Sequence, residues 1–218
     1  MVLYFGHELT ELGGADHDAM DTGRPASVSD LASGLRALAG DSTRVDLLVL
    51  GTCFGGTPYT IGALGPYARY IVALPDNLYL SYFNLEPLAG LGARSSSEEL
   101  PALVLRFARN AFQQLDRDVQ TTVSVVAYDT DAVRAYTQSV ADDYERGLSV
   151  LDQMKPAPVE PCDCAEDSSF VRPGMDEGLT VFYRAARFGR AKHTSTHSGW
   201  ECWRLAPQPN RTITHSRD

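Results

Sequence analysis

The sequence predicts an α/β protein, a layered and mainly parallel sheet flanked by helices. Three observations lead there. Apolar runs of strand length alternate with segments of helical periodicity from residue 2 to about residue 152. Those runs are mainly apolar, as strands covered on both faces are. The chain of 218 residues, 44% hydrophobic and 22% charged, is long enough for one well-buried core.

The elements can be justified in order. Val2 to Phe5 is an apolar run ended by Gly6 and predicts a short buried strand. Residues 8 to 26, with Gly13-Gly14, Asp16, Asp18 and Asp21, predict a surface loop. A helix is expected from Ser27 or Ser29, with Leu31, Leu35 and Leu38 inward, stopping at Gly40. Val45 to Leu50 predicts a second buried strand that runs into Gly51-Thr52-Cys53-Phe54-Gly55-Gly56. Thr57-Pro58 reads as an N-cap followed by proline in the first helical position, where its missing N–H is harmless.

Arg69 to Ala73 predicts a third strand, closed by Pro75. Leu100, Leu103, Val104, Phe107, Ala108, Ala111, Phe112 and Leu115 recur at helical spacing and give the clearest helix. Thr122 to Tyr128, with valines at 123, 125 and 126, predicts a fourth strand. Thr130 is expected to cap a further helix carrying Val133, Tyr136, Val140, Tyr144, Leu148 and Leu151. A proline-rich connector begins at Lys155, and Leu179 to Tyr183 is one more strand beyond it. The division expected is a layered domain over residues 1–154, a Pro/Cys/aromatic-rich segment over 155–206 and a disordered tail over 207–218. Trp200, Trp203 and Phe188 are expected to pack the second part against the first.

Composition excludes several classes. A net charge of -9 and a pI near 5.0 leave no lysine/arginine stripe for nucleic acid. No apolar run reaches the roughly 20 residues of a spanning helix, and no basic-then-apolar leader opens the sequence. A cytoplasmic location is therefore the default expectation. Four cysteines in a chain of this size are not a disulfide framework.

Two side chains stand where an α/β sheet presents chemistry, at the C-terminal ends of strands. His7 follows the first strand and Cys53 the second, 46 residues apart. Strands joined by a helical crossover place such ends side by side, within reach of a proton exchange. A thiolate is the nucleophile in cysteine catalysis, so its pKa must be lowered, and a helix starting at Thr57-Pro58 would help. Gly51, Gly55 and Gly56 would let a peptide backbone approach and leave N–H groups open to an oxyanion. Singly, each residue reads as an ordinary core or surface side chain. Their order and shared placement raise the pair to a candidate dyad.

The motifs Leu3-Tyr4-Phe5-Gly6-His7 and Val45-Asp46-Leu47-Leu48-Val49-Leu50-Gly51-Thr52-Cys53 resemble the histidine and cysteine motifs of the clostripain family, in the caspase-like group of cysteine peptidases. The order His-then-Cys and the Cys53-Phe54-Gly55 stretch echo the caspase signature. Tyr70-Ile71-Val72-Ala73-Leu74-Pro75-Asp76-Asn77 is similar to the family segment that lines the substrate cleft. The likeness covers about residues 2 to 150. It implies a caspase-like sheet and a bacterial thiol protease that hydrolyses peptide bonds through an acyl-enzyme. Cys53 would be the nucleophile and His7 its proton partner, with the backbone N–H groups of Cys53 and Glu8 as oxyanion donors. Glu8, Gly51, Thr52 and Asp76 would line the substrate site, and the implied partner is a peptide or protein substrate, with no nucleic acid and no membrane.

Three departures from the family pattern stand out. Glu8 replaces the usual glycine after the histidine and would be strained if that position required positive φ. Gly51 stands where an acid often selects a basic residue, which leaves Asp76 for that preference. The family has strands before the histidine strand, and their lack would expose a sheet edge. Two other readings follow from these departures and from the generality of the dyad. One is a catalytically silent caspase-like domain used for binding or assembly, and the other a cysteine hydrolase of a different amide or acyl substrate.

No cofactor is required by this reading. Cys162, Cys164, His193, His197 and Cys202 carry zinc-ligand chemistry, although Cys-x-Cys is tighter than the usual spacing. Glu8, Glu11, Asp16, Asp18 and Asp21 could offer oxygens to Ca²⁺ but lack the order of a calcium loop. Both are weak candidates.

Overall fold

The computed structural model describes residues 1–9, 26–40, 43–75, 99–118, 120–138, 178–189, 198 and 200. Five strands make one sheet in chain order: β1 (Val2–Phe5), β2 (Val45–Gly51), β3 (Ala68–Ala73), β4 (Val123–Asp129) and β5 (Leu179–Arg184). β1, β2 and β3 pair in parallel, β4 runs antiparallel to β3, and β5 antiparallel to β4. Four of the five strands thus share one direction, and β4 alone is reversed. The mainly parallel layered sheet expected from the sequence is what forms, and its fifth strand comes from beyond the proline-rich connector.

Three helices flank it: α1 (Val28–Ala39), α2 (Pro58–Leu64) and α3 (Leu100–Asp118). Successive residues of a strand point to opposite faces, and the core divides accordingly. Leu48, Leu50, Ile71, Ala73, Val126 and Tyr128 pack with Val28 and Leu35 of α1 and Ile61 and Leu64 of α2. Leu47, Val49, Val72, Val123, Val125 and Ala127 pack on the other face with Leu103, Val104, Phe107, Ala111 and Leu115 of α3. Helices on both faces explain why β2, β3 and β4 are mainly apolar on both sides.

Local signals set the helix ends. Ser27 forms a capping box with Asp30: its hydroxyl accepts from the Asp30 N–H at 3.1 Å, and the Asp30 carboxylate accepts from the Ser27 N–H at 2.8 Å. Thr57 caps α2 by accepting the Thr60 N–H at 3.1 Å, with Pro58 next. α3 starts from its own first turn, the Leu103 N–H donating to the Glu99 carbonyl.

Several expectations need correction. β1 is half-buried rather than buried, because it is an edge of the described sheet and has one strand neighbour. Leu38 is 75% exposed: the buried stripe of α1 is centred on Val28 and Leu35, and Leu38 lies off its side in the last turn. The cap before residues 134–138, which are helical, is Asp129 and not Thr130. The Asp129 carboxylate accepts the N–H groups of Asp131 and Ala132, whereas the Thr130 hydroxyl donates to the Ala68 carbonyl at 2.7 Å. Phe188 is 75% exposed and packs nothing down, while Trp200 is fully buried. Trp203, Val140, Tyr144, Leu148 and Leu151 lie outside the described residues, as do residues 10–25 of the segment 8–26 expected to be a loop.

Charged side chains tie the sheet at its ends. Arg44 pairs with Asp131 at 2.9 Å and donates to the Ala68 carbonyl at 2.7 Å, and Arg134 also pairs with Asp131. The Arg44 hydrogen bond holds the Asp131 carboxyl below its ordinary value of 3.8. On the α3 side, Arg184 of β5 pairs with Asp116 and Arg187 donates to the Asp116 carbonyl at 2.9 Å. Phe182 sits 6.2 Å from the Phe112 ring and under the Arg109 guanidinium at 5.7 Å.

Two outcomes follow. Ser27→Ala removes the hydroxyl of the capping box and lowers stability by about 1 kcal/mol in urea unfolding. A carboxyl whose native pKa is lowered adds stability above its unfolded value, lost as pH falls through the native one. Asp131→Asn therefore flattens the acid limb: wild type loses more melting temperature than the variant between about pH 5 and about pH 2. Because Asp131 is largely exposed, the difference is small.

Candidate active site

The site is built by the pairing of β1 with β2. Val2 lies opposite Leu48 and Phe5 opposite Gly51. The strands run about 4.8 Å apart as parallel neighbours, and His7 and Cys53 each come two residues after the last paired positions, Phe5 and Gly51. The pairing persists past the last strand residues, since the Gly6 N–H donates to the Gly51 carbonyl at 3.2 Å. One step further on, the Thr52 hydroxyl donates to the His7 carbonyl at 2.7 Å.

Thr52 is fully buried, so the backbone of His7 is held to the Cys53 turn by a hydrogen bond shielded from solvent. The His7 side chain is exposed. Cys53 is half-buried, and it packs with Leu3 against the α3 side of the core. Glu8 is exposed and does not have positive φ. The strain anticipated there is absent.

Strain lies instead at Phe54. Among the described residues it is the one non-glycine with positive φ, at 51°. A left-handed conformation costs a side-chain-bearing residue roughly 1–2 kcal/mol, and it persists only where the surroundings enforce it. Phe54 is 40% exposed and directly follows the thiol. The turn Thr52–Gly56 therefore leaves β2 sharply, with Cys53 at its head.

Gly51 lies beneath an aromatic ring. A Cβ added there would stand 2.2 Å from Cδ1 of Phe5, which explains why no side chain occupies the position. Phe5 itself is 42% exposed. Sequence reasoning missed it as a site residue, because a phenylalanine in an apolar run reads as core; the exposure comes from its place on an edge strand. Gly56 is equally constrained, since a Cβ there would meet the Tyr128 hydroxyl at 2.5 Å and the Pro75 nitrogen at 3.1 Å. Its N–H donates to the Leu74 carbonyl at 3.0 Å. The expectation that it stays open for an oxyanion fails for this residue: the turn uses it to fasten itself to the end of β3.

Asp76 lies outside the described residues. So do the zinc candidates Cys162, Cys164, His193, His197 and Cys202, and Glu11, Asp16, Asp18 and Asp21 of the acidic loop. Among the described residues, no three His, Cys, Asp or Glu side chains come together as a metal site. No described helix is long and apolar enough to cross a membrane.

Comparison with solved structures finds several related proteins. One is an inactive zymogen C11 protease from Parabacteroides distasonis, 15% identical with a TM-score of 0.46, over 65% of this chain and 37% of that one. Another is a secreted C11 cysteine protease from Bacteroides thetaiotaomicron in complex with an irreversible peptide inhibitor, 14% identical with a TM-score of 0.46, over 66% and 43%. A third is a clostripain from Bacteroides thetaiotaomicron in complex with a peptide inhibitor, 8% identical with a TM-score of 0.43, over 60% and 55%. The likeness is to clostripain-type cysteine proteases. The chain spans between 37% and 55% of their lengths. No protein-family model matches the sequence, and no curated protein sequence does.

The Thr52 bond can be tested directly. Thr52→Val keeps the buried shape but removes the donor and leaves the His7 carbonyl without it, at about 1 kcal/mol in chemical unfolding. Stability equal to wild type would show that the hydroxyl holds nothing.

Proposed function

We propose that this chain is the catalytic part of a cysteine endopeptidase, with Cys53 as nucleophile and His7 as proton carrier. The observation that supports it is the parallel pairing of β1 with β2, since His7 and Cys53 follow the same end of two adjacent strands and the Thr52 hydroxyl donates to the His7 carbonyl. Each residue of the pair was singled out for its place at a strand end, and the two strands are neighbours.

The chemistry divides into two transfers. The Cys53 thiol gives its proton to His7 and its sulfur attacks the peptide carbonyl carbon, a C–S bond forms, and the carbonyl oxygen carries the negative charge. Backbone N–H groups of Cys53 and Glu8 would receive that charge. His7 gives a proton to the departing nitrogen as the C–N bond breaks, leaving a thioester and a free amine. Water then loses a proton to His7 and attacks the thioester. The C–S bond breaks, and the acid leaves with the thiol restored.

A preference for a basic residue before the cleaved bond belongs to the same proposal. Gly51 brings no carboxylate beside the thiol, so Asp76 would have to supply the charge. With neither a metal nor a cofactor in this scheme, the zinc and calcium candidates stay outside it.

The test is covalent labelling with peptidyl acyloxymethyl ketones that carry Lys, Arg, Leu or Phe next to the reactive carbon, located by peptide mapping. The expected result is one adduct, at Cys53, absent from Cys53→Ala and formed about 10²- to 10⁴-fold more slowly in His7→Ala. Faster labelling by the Lys and Arg reagents supports the basic preference, and faster labelling by Leu or Phe ends it. No adduct with any reagent ends the peptidase proposal and leaves the binding-domain reading.

A further inference from the structure

The mechanism does not use the most densely bonded group near the thiol, the carbonyl of Gly56. Trp200 Nε1 donates to it at 2.9 Å, and the Tyr128 hydroxyl lies 3.0 Å from it. The same hydroxyl is 2.9 Å from the Ser198 carbonyl, so its single proton serves two acceptors. Trp200 and Tyr128 are fully buried. The indole stacks on the Tyr128 ring at 5.5 Å and on the Tyr136 ring at 4.9 Å, nearly parallel to both. The Gly56 N–H, as noted, is held by Leu74. Both polar groups of one peptide residue are thus fixed, three residues after Cys53, and one donor comes from the C-terminal part of the chain.

That arrangement answers a question the turn raises. Phe54 holds a left-handed conformation that a free turn would relax, and the cost persists only under external constraint. Upstream, the turn is fixed by β2 and by the Thr52 bond to His7. Downstream, it is fixed at Gly56. We infer that Trp200 is a positioning residue: its indole, with the Tyr128 hydroxyl, clamps Gly56 and so holds the Cys53–Phe54 backbone in its strained form. The thiol and the Cys53 N–H are then aimed by a residue far away in sequence. Two buried hydrogen bonds to one carbonyl in a dry, aromatic setting make a stiff anchor, whereas stacking alone would fix the sheet but not the turn.

This inference rests on Cys53 being the nucleophile, and its test separates the two claims. Trp200→Phe keeps a ring for the stack and loses the donor, while Tyr128→Phe loses only the hydroxyl. Labelling of Cys53 by a peptidyl acyloxymethyl ketone is resolved into binding and inactivation constants, with the labelled fraction read separately. A positioning role predicts a fall in the inactivation constant of about tenfold for Trp200→Phe, given that about 1.4 kcal/mol is a tenfold effect, and a smaller fall for Tyr128→Phe. Binding is unchanged, and the two effects combine non-additively because they act on one carbonyl. A merely structural role predicts a lower labelled fraction or melting temperature with unchanged constants per folded molecule, and that result overturns the inference. Should Trp200→Phe fail to fold, Tyr128→Phe alone decides: an unchanged inactivation constant overturns the clamp. Should wild type take no peptidyl reagent, the peptidase proposal fails on its own. The clamp is then read from the iodoacetamide rate at Cys53 and from amide exchange at residues 53–56. Rates equal to those of wild type in both variants overturn it there too.

Discussion

Everything at the candidate site hangs on how β1 lies against β2. Because side chains alternate along a strand, a slip of one residue would turn Leu3 and Phe5 to the opposite face. The register is held from both sides. Leu47 to Leu50 are buried on alternate faces, so β2 itself cannot slide without exposing core. β1, with one described strand neighbour, has weaker packing and gains fixed points past its end, from Gly6 to Gly51 and from Thr52 to His7. The Thr52 hydroxyl matters out of proportion to its size, because it is buried and ties the backbone after β1 to the turn after β2.

The turn after β2 works by opposed constraints. Phe54 pays a local conformational cost, and the structure around it keeps that cost from being relieved. Leu74 and Trp200 hold Gly56 at one end, and the sheet holds Thr52 at the other. Tyr128 and Trp200, fully buried and stacked with the half-buried Tyr136, both reach the Gly56 carbonyl with polar atoms. The same side chains therefore fill the α1 and α2 side of the core and set the shape of the loop that carries the thiol.

The glycines around Cys53 acquire a different meaning in this setting. In the sequence, small residues beside a candidate nucleophile suggest room for a peptide. In the structure, Gly51 makes room for the Phe5 ring and Gly56 for the Tyr128 hydroxyl. Both are demands of internal packing, and they shape the site indirectly. The half-exposed aromatic ring of Phe5 then lies over Gly51 and gives this edge an apolar surface.

By itself the sequence determined the α/β class, the five strands and the approximate limits of α1 and α3, and it marked where α2 starts. Those follow from local properties: mainly apolar runs, the i, i+3, i+4 recurrence in α3, Ser27, and Thr57-Pro58. It also marked His7 and Cys53, since a strand end is recognisable from the run before it. Tertiary structure decided the rest. Whether Leu38 and Phe188 face inward depended on what lies beside them, and which residue caps the segment after β4 depended on the Ala68 carbonyl claiming Thr130. Only the fold could place Trp200 against Gly56, because no periodicity links residues so far apart. A hydrogen bond across that distance exists only once the sheet has brought its two ends together.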